Sequence, residues 1–248
     1  MNFHVDRPLS PVLLCVVGVL AVACLLLAAA FVRARRRIGE MTLLDELTGL
    51  GTRRLMARDI PREISRSRRE GLTLFVGVAD VDRLAPYNLA FGRPAGHAVL
   101  AAIGAILRGS LRRAGDHVFR SGGDRFTFAF SSERRMDGAE MAERIRARVL
   151  ELDRRHTGNP PHEAITVSIG LVRVEPGAVA TLEGIEERAA EALALARKEG
   201  RNRVAGLDID GDRFRTGDGI PLPPTSPVAP RPAGSEDATR EWEKKAPR

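Results

Sequence analysis

Three short runs of this 248-residue chain carry groups suited to chemistry on a phosphate ester. Asp80-Val81-Asp82 puts two carboxylates at the end of an apolar stretch. Gly122-Gly123-Asp124 puts one in a glycine turn, and Gly200-Arg201-Asn202 puts a guanidinium and an amide after a helical stretch. Strand ends and hairpin tips are where an α/β fold presents its site, so the first two runs can bring their acids to neighbouring sheet edges. Two or three converging carboxylates are how Mg²⁺ is held beside a nucleoside triphosphate. Each run alone also has an ordinary structural reading: paired Asp at a strand end is a solvated terminus, and Gly-Gly-Asp is a turn.

The elements around these runs are legible from periodicity. Leu72–Val81 is a short apolar, β-branched and aromatic run of the kind a buried strand requires. Pro94–Arg113 carries Val99, Leu100, Ile103, Ile106, Leu107 and Leu111 at helical spacing. His117–Ser121 and Arg125–Ser131 alternate like two strands joined by the glycine turn. Residues 43–69 are helix-like but interrupted at Gly49–Gly51 and Pro61. Met136–Arg155 predicts a helix, Ile165–Val174 a strand, Leu182–Lys198 a helix closed by Gly200, and Asn202–Leu207 a last strand. Alternating strands and helices with one tight hairpin predict an α/β fold with a mixed central β-sheet flanked by helices.

The flanks differ in character. Pro11–Val32 is an unbroken apolar run of about the 20 residues a bilayer-spanning helix needs. Arg33, Arg35, Arg36 and Arg37 follow it and only Arg7 precedes it, which predicts a short external N-terminus (1–10), one transmembrane helix (11–32), a basic linker (33–44) and a cytoplasmic domain (45–207). A cleaved signal peptide would carry its positive charge ahead of a shorter apolar core. The expected location is therefore the inner, cytoplasmic membrane, with a single pass. From 208 to 248 the pattern stops, and Pro221–Pro232 is too proline-dense to join a sheet, so a disordered tail is expected. Cys15 and Cys24 both fall in the apolar run, leaving the rest of the chain without thiols for a disulfide framework or a metal site. The formal charge of +7 raises a polyanion partner. Aromatics are only 4% and no basic run interleaves with stacking rings, which argues against nucleic acid.

Taken with their context, the runs resemble the GGDEF (diguanylate cyclase) family. Asp45-Glu46-Leu47-Thr48-Gly49-Leu50 with Arg53-Arg54 resembles its opening motif, and Ala79-Asp80-Val81-Asp82 with Asn88 its first acidic segment. Ser121-Gly122-Gly123-Asp124-Arg125-Phe126 stands where the signature belongs. Thr166-Val167-Ser168-Ile169-Gly170 resembles a later strand, and Gly200-Arg201-Asn202 the closing motif. The resemblance implies a nucleotidyl-cyclase-like fold and a reaction joining two GTP into cyclic di-GMP across a dimer, with two Mg²⁺. It also implies metal contacts from Asp80, the Val81 carbonyl and Asp124, and nucleotide contacts from Asn88 and Arg201.

The chain departs from that pattern. Arg125 replaces the last acid of the signature, so a cation stands where a metal ligand is expected. Ala85 falls on a phosphate-contacting Lys, Leu89 and His97 on acids of the nucleotide site, and Arg197 on a Lys. The vestigial signature Gly122, Gly123, Asp124, Arg125 and Phe126 therefore predicts no intact catalytic centre, with Mg²⁺ expected only alongside bound GTP. Arg113-Ala114-Gly115-Asp116 stands in the register of the family's RxxD product-inhibition site, and Arg146 at that of an assisting arginine. A guanidinium bidentate to guanine O6 and N7, with a carboxylate accepting from N1–H and N2–H, is suited to cyclic di-GMP. The expected role is a membrane-anchored protein binding cyclic di-GMP or GTP, paired with itself or with another GGDEF domain. The alternatives are a cyclase with residual activity and a nucleotide-free dimerisation scaffold.

Overall fold

Strand β2 (Thr73–Val81) lies at the middle of the sheet because both of its faces are apolar, and every one of its nine residues is buried. Its period of two divides them. Phe75, Ala79 and Val81 enter one hydrophobic cluster, and Leu74, Val76 and Val78 enter another on the opposite face. A computed structural model describes residues 20–24, 26–27 and 42–214. In it, seven strands take the order β1-β3-β4-β2-β5-β6-β7. They are β1 (Gly51–Thr52), β2, β3 (His117–Arg120), β4 (Arg125–Ser132), β5 (Val167–Val174), β6 (Val204–Asp208) and β7 (Arg213–Phe214). β2 is antiparallel to β4 and β5, whereas β5–β6 and β1–β3 are parallel, so the sheet is mixed as expected.

Helices α1 (Arg53–Glu70) and α5 (Leu182–Lys198) cover one face through Met56, Ile60, Ile185, Ala189 and Leu193. Helices α2 (Leu84–Phe91), α3 (Arg93–Ser110) and α4 (Asp137–Leu150) cover the other, over Phe75, Phe126, Phe128 and Phe130. Burying each of these rings contributes on the order of 2 kcal/mol. Gly77, paired with Phe128, leaves room for that ring, since a Cβ there would lie 2.1 Å from it.

Five features differ from those the sequence predicts. The stretch before α1 is a turn, with Leu44 bridging Gly51, so residues from Thr42 belong to the domain. Helix α1 then runs through Pro61 on its exposed side and ends at Gly71, whose φ of 69° turns the chain so that the Leu72 N–H reaches the Ser67 carbonyl at 2.9 Å. The helix expected from Pro94 is preceded by a separate α2. Gly92, with φ 83° and ψ 156°, separates the two in a conformation that only glycine adopts readily. Helix α4 stops at Leu150 rather than Arg155. Beyond it, buried Asn159 donates to the Ala164 carbonyl and to Thr166 Oγ1, both at 2.9 Å, and so takes over the local hydrogen bonding. Finally, the sheet does not end at 207. β7 pairs with β6, and the Arg173 guanidinium lies 4.5 Å from the centre of the Phe214 ring.

The membrane run over 11–32 lies outside the described residues except for 20–24 and 26–27, which are helical. Among the described residues no helix is long and apolar enough to cross a membrane. Of the basic linker expected over 33–44, residues 33–41 lie outside them, as does the Pro-rich segment.

Candidate functional site

The period of two in β2 decides where its acids point. Asp80 follows Leu74, Val76 and Val78 onto the face covered by α1 and α5, and it pairs directly with Arg125 at the start of β4. Its side chain is buried, with the residue 3% exposed. Arg125 Nε lies 3.6 Å from Asp80 Oδ2, and Arg197 from the end of α5 contacts Asp80 Oδ1 directly. Burial pushes the Asp80 carboxyl above the usual carboxylate range. Arg197 opposes that, the Asp124 carboxylate adds to it, and Arg125 works against it. Asp124 is half-buried in the β3–β4 turn, where its carbonyl accepts the Val81 N–H at 3.2 Å.

A divalent cation needs carboxylate oxygens that can turn toward it. Both oxygens of Asp80 already face guanidinia, and Arg125 offers no acceptor. Among the described residues no three carboxylate, imidazole or thiolate groups converge. As they stand, the Asp80 oxygens engaged by Arg197 and Arg125 do not fit the Mg²⁺ expected at Asp80, Val81 and Asp124.

Asp82, two residues on, has a different task. It is 2% exposed and accepts Thr166 Oγ1 and Ser168 Oγ, each at 2.7 Å, and the Asn202 N–H at 3.2 Å. Its own N–H donates to the Thr166 carbonyl. One carboxylate thus fastens the end of β2 to the entrance of β5 and to the turn after α5. Sequence reading missed this role. The signal was the Thr-x-Ser spacing, which places two hydroxyls on one face of a strand.

The remaining expected residues are spread around these. Gly122 and Gly123 are exposed in the turn, and Phe126 is wholly buried in the core. Asn88 is half-buried on α2, where its Oδ1 lies against Gly96 without a hydrogen-bond partner. Arg201 and Asn202 both take positive φ, at 64° and 47°, which folds the chain sharply after α5. At the signature turn, Arg120 donates from Nε and Nη2 to the Gly123 carbonyl, at 3.2 and 2.6 Å.

Arg113 and Asp116 do come together. Asp116 Oδ2 accepts the Arg113 N–H at 2.9 Å, and the Asp116 N–H returns to the Arg113 carbonyl at 2.9 Å. They line an open cleft of about 330 Å³ whose floor includes Phe130 and Met141. Arg146 does not line it. Its side chain pairs with Glu143 at 2.7 Å and with Asn202 Oδ1 at 3.0 Å, because it leaves α4 on another side of the helix. Two positions earlier, Arg144 faces the cleft, with Arg112 and Arg134. Sequence reading missed all three: Arg144 because a shift of two positions on a helix turns a side chain by about 200°, and Arg112 and Arg134 because they stand in the loops outside α3 and α4. The cleft and the Asp80–Arg125 pair sit at opposite ends of the β3–β4 hairpin, on opposite faces of the sheet.

Comparison with known proteins agrees with this architecture. The chain is 33% identical over 165 residues to the diguanylate cyclase DgcP of Pseudomonas aeruginosa, covering 66% of this chain and 24% of that protein. It is 33% identical over 161 residues to the diguanylate cyclase DosC of Escherichia coli (strain K12), covering 65% of this chain and 34% of that protein. The chain thus spans a quarter to a third of the length of these relatives. Its fold is similar to the crystal structure of the GGDEF domain of DgcB from Caulobacter crescentus in complex with c-di-GMP. That similarity has a TM-score of 0.59 at 25% identity over 68% of this chain and 97% of that one. The sequence model described as "Diguanylate cyclase, GGDEF domain" matches residues 42–203. The mixed sheet, the glycine turn at its edge and this match together assign the chain to the GGDEF family.

Proposed function

We propose that this protein is a membrane-anchored GGDEF-family receptor that binds cyclic di-GMP in the Arg113–Asp116 cleft and does not turn over GTP at its signature turn. The observation that carries the reading is the cleft itself. Four arginines, at 112, 113, 134 and 144, gather around the Asp116 turn, Arg134 being paired with Asp137 and Glu140 of the same cleft. That combination suits a bis-guanine phosphodiester, with guanidinia for phosphate and guanine O6 and N7, and a carboxylate for N1–H and N2–H. Support comes also from the DgcB domain, which was solved in complex with c-di-GMP. Loss of turnover is supported by Arg125 and Arg197 on Asp80, because triphosphate, metal and base must be held together for the reaction. Anchoring rests on the apolar run at 11–32 and the arginines that follow it.

The test is calorimetric titration of cyclic di-GMP, and separately of GTP with Mg²⁺, into the full chain held in detergent. An Arg113→Ala, Asp116→Ala double variant runs alongside. Cyclic di-GMP binding that disappears in the variant supports the receptor reading. Absence of binding by either nucleotide refutes it and leaves the dimerisation scaffold. Formation of cyclic di-GMP from GTP refutes the second half and returns the protein to the cyclases.

A further inference from the structure

By sequence, Arg125 is the drastic departure and Arg197 a mild one, since it keeps the positive charge expected there. The geometry reverses that ranking. Arg197 follows buried Leu193 by four positions on α5 and adjoins buried Ala196, so its stem leaves the helix over the sheet and reaches the end of β2. It contacts Oδ1 of the buried Asp80, whereas Arg125 stands 3.6 Å from Oδ2. One carboxylate is thus addressed by two guanidinia, from different elements and through different oxygens. A guanidinium keeps its charge at any accessible pH and has no acceptor to offer a metal.

We infer that Arg197 and Arg125 together serve as a built-in cation for Asp80 and exclude divalent ions from the signature turn, with Arg197 the dominant member. An incoming ion would have to displace Arg197 from a buried carboxylate and compete for it with two nearby guanidinia of like charge. Restoring the acid at position 125 removes one guanidinium but leaves Arg197 on Oδ1, and it supplies Arg197 with a second carboxylate partner. Repair of the signature alone therefore does not reopen the site. Removing both guanidinia leaves Asp80 and Asp124 beside the restored acid without either of the two cations that pair with Asp80. This inference is independent of the reading of the Arg113 cleft.

The experiment is Mn²⁺ titration of the full chain in detergent, followed by electron paramagnetic resonance of free Mn²⁺. The proteins are wild type, Asp80→Asn, Arg125→Glu, Arg197→Gln, and Arg125→Glu with Arg197→Gln. Wild type is expected to match Asp80→Asn, with no Asp80-dependent binding. The double variant is expected to bind at least about tenfold more tightly than Arg125→Glu, a difference of about 1.4 kcal/mol. Asp80-dependent binding by wild type overturns the inference. So does Arg125→Glu binding as tightly as the double variant, because Arg197 then plays no part, and so does a folded double variant that binds nothing. Thermal melting monitors folding, and Arg125→Asp with Arg197→Met is the second double variant, with the same expected gain. Cyclic di-GMP titration of the same proteins reads the distant cleft separately, so failure there leaves the Mn²⁺ result intact.

Discussion

Arg120 grips Asp45 with Nη1, at 3.2 Å to Oδ1 and 3.1 Å to Oδ2. The same guanidinium holds the Gly123 carbonyl from Nε and Nη2, so the turn entering the domain and the signature turn share one anchor. Asp45 is further bound by the Thr48 N–H at 2.9 Å and the Thr48 hydroxyl at 2.7 Å. Burial is the largest single influence on its carboxyl and works upward. The Thr48 and Arg120 hydrogen bonds together outweigh it and hold Asp45 below the usual range.

That arrangement predicts an acid-sensitive contribution. A carboxyl whose folded pKa is depressed contributes stability that is full above its unfolded value and is lost as pH falls through the folded one. Asp45→Asn is expected to lower stability by about 1–2 kcal/mol at neutral pH. The gap from wild type should narrow as pH drops below the ordinary Asp range. Denaturant unfolding at several pH values measures it, and a gap that is constant with pH refutes the assignment.

Asp80 predicts the opposite sign. Its folded pKa is raised, so the ionised form is penalised in the native state, and the domain is more stable where Asp80 is protonated. Asp80→Asn is expected to leave stability at neutral pH unchanged or raised by up to about 1 kcal/mol, since the partly exposed arginines it releases can be solvated. The gain should vanish in acid. A loss of about 2 kcal/mol or more would mean that the ion pairs outweigh burial.

Asp82 should behave quite differently from its neighbour. Replacing it with Ala leaves two buried hydroxyls and the Asn202 N–H without their acceptor. Loss of such a buried charged network costs about 3–5 kcal/mol. Parallel thermal melts of Asp80→Ala and Asp82→Ala test this contrast, and equal losses would contradict the division of labour between the two acids.

Gly115 offers a test of the cleft's support. A Cβ at that position would lie 2.4 Å from the Arg66 guanidinium of α1, which Glu63 holds at 3.0 Å. Gly115→Ala is therefore expected to displace the Arg113–Asp116 turn and to weaken cyclic di-GMP binding about tenfold or more with little change in melting temperature. Unchanged affinity would show that Arg66 yields freely.

The family, the element order and the mixed sheet were legible because they rest on local signals: apolar periodicity, a glycine hairpin, and motifs whose residues are close in the chain. Asp80, Asp124, Arg113 and Asp116 were singled out from the same local motifs. The split of α2 from α3 at Gly92 and the end of α4 were not legible, because one backbone torsion and the side-chain hydrogen bonds of a single buried amide, Asn159, decide them. The final strand escaped notice because two residues carry no periodicity.

Residue types alone determined that a cation replaces an acid in the signature and that a guanidinium and a carboxylate stand three positions apart before it. Only the tertiary structure decided what those groups meet. It turned Asp82 inward to three donors, took Arg146 away to Glu143 and Asn202, set Arg144 along the cleft, and laid Arg197 on Asp80. The physical reason is the same in each case. A side chain's direction follows from the strand's period of two or the helix's 3.6 residues per turn, but its partner comes from whichever distant element packs over that face.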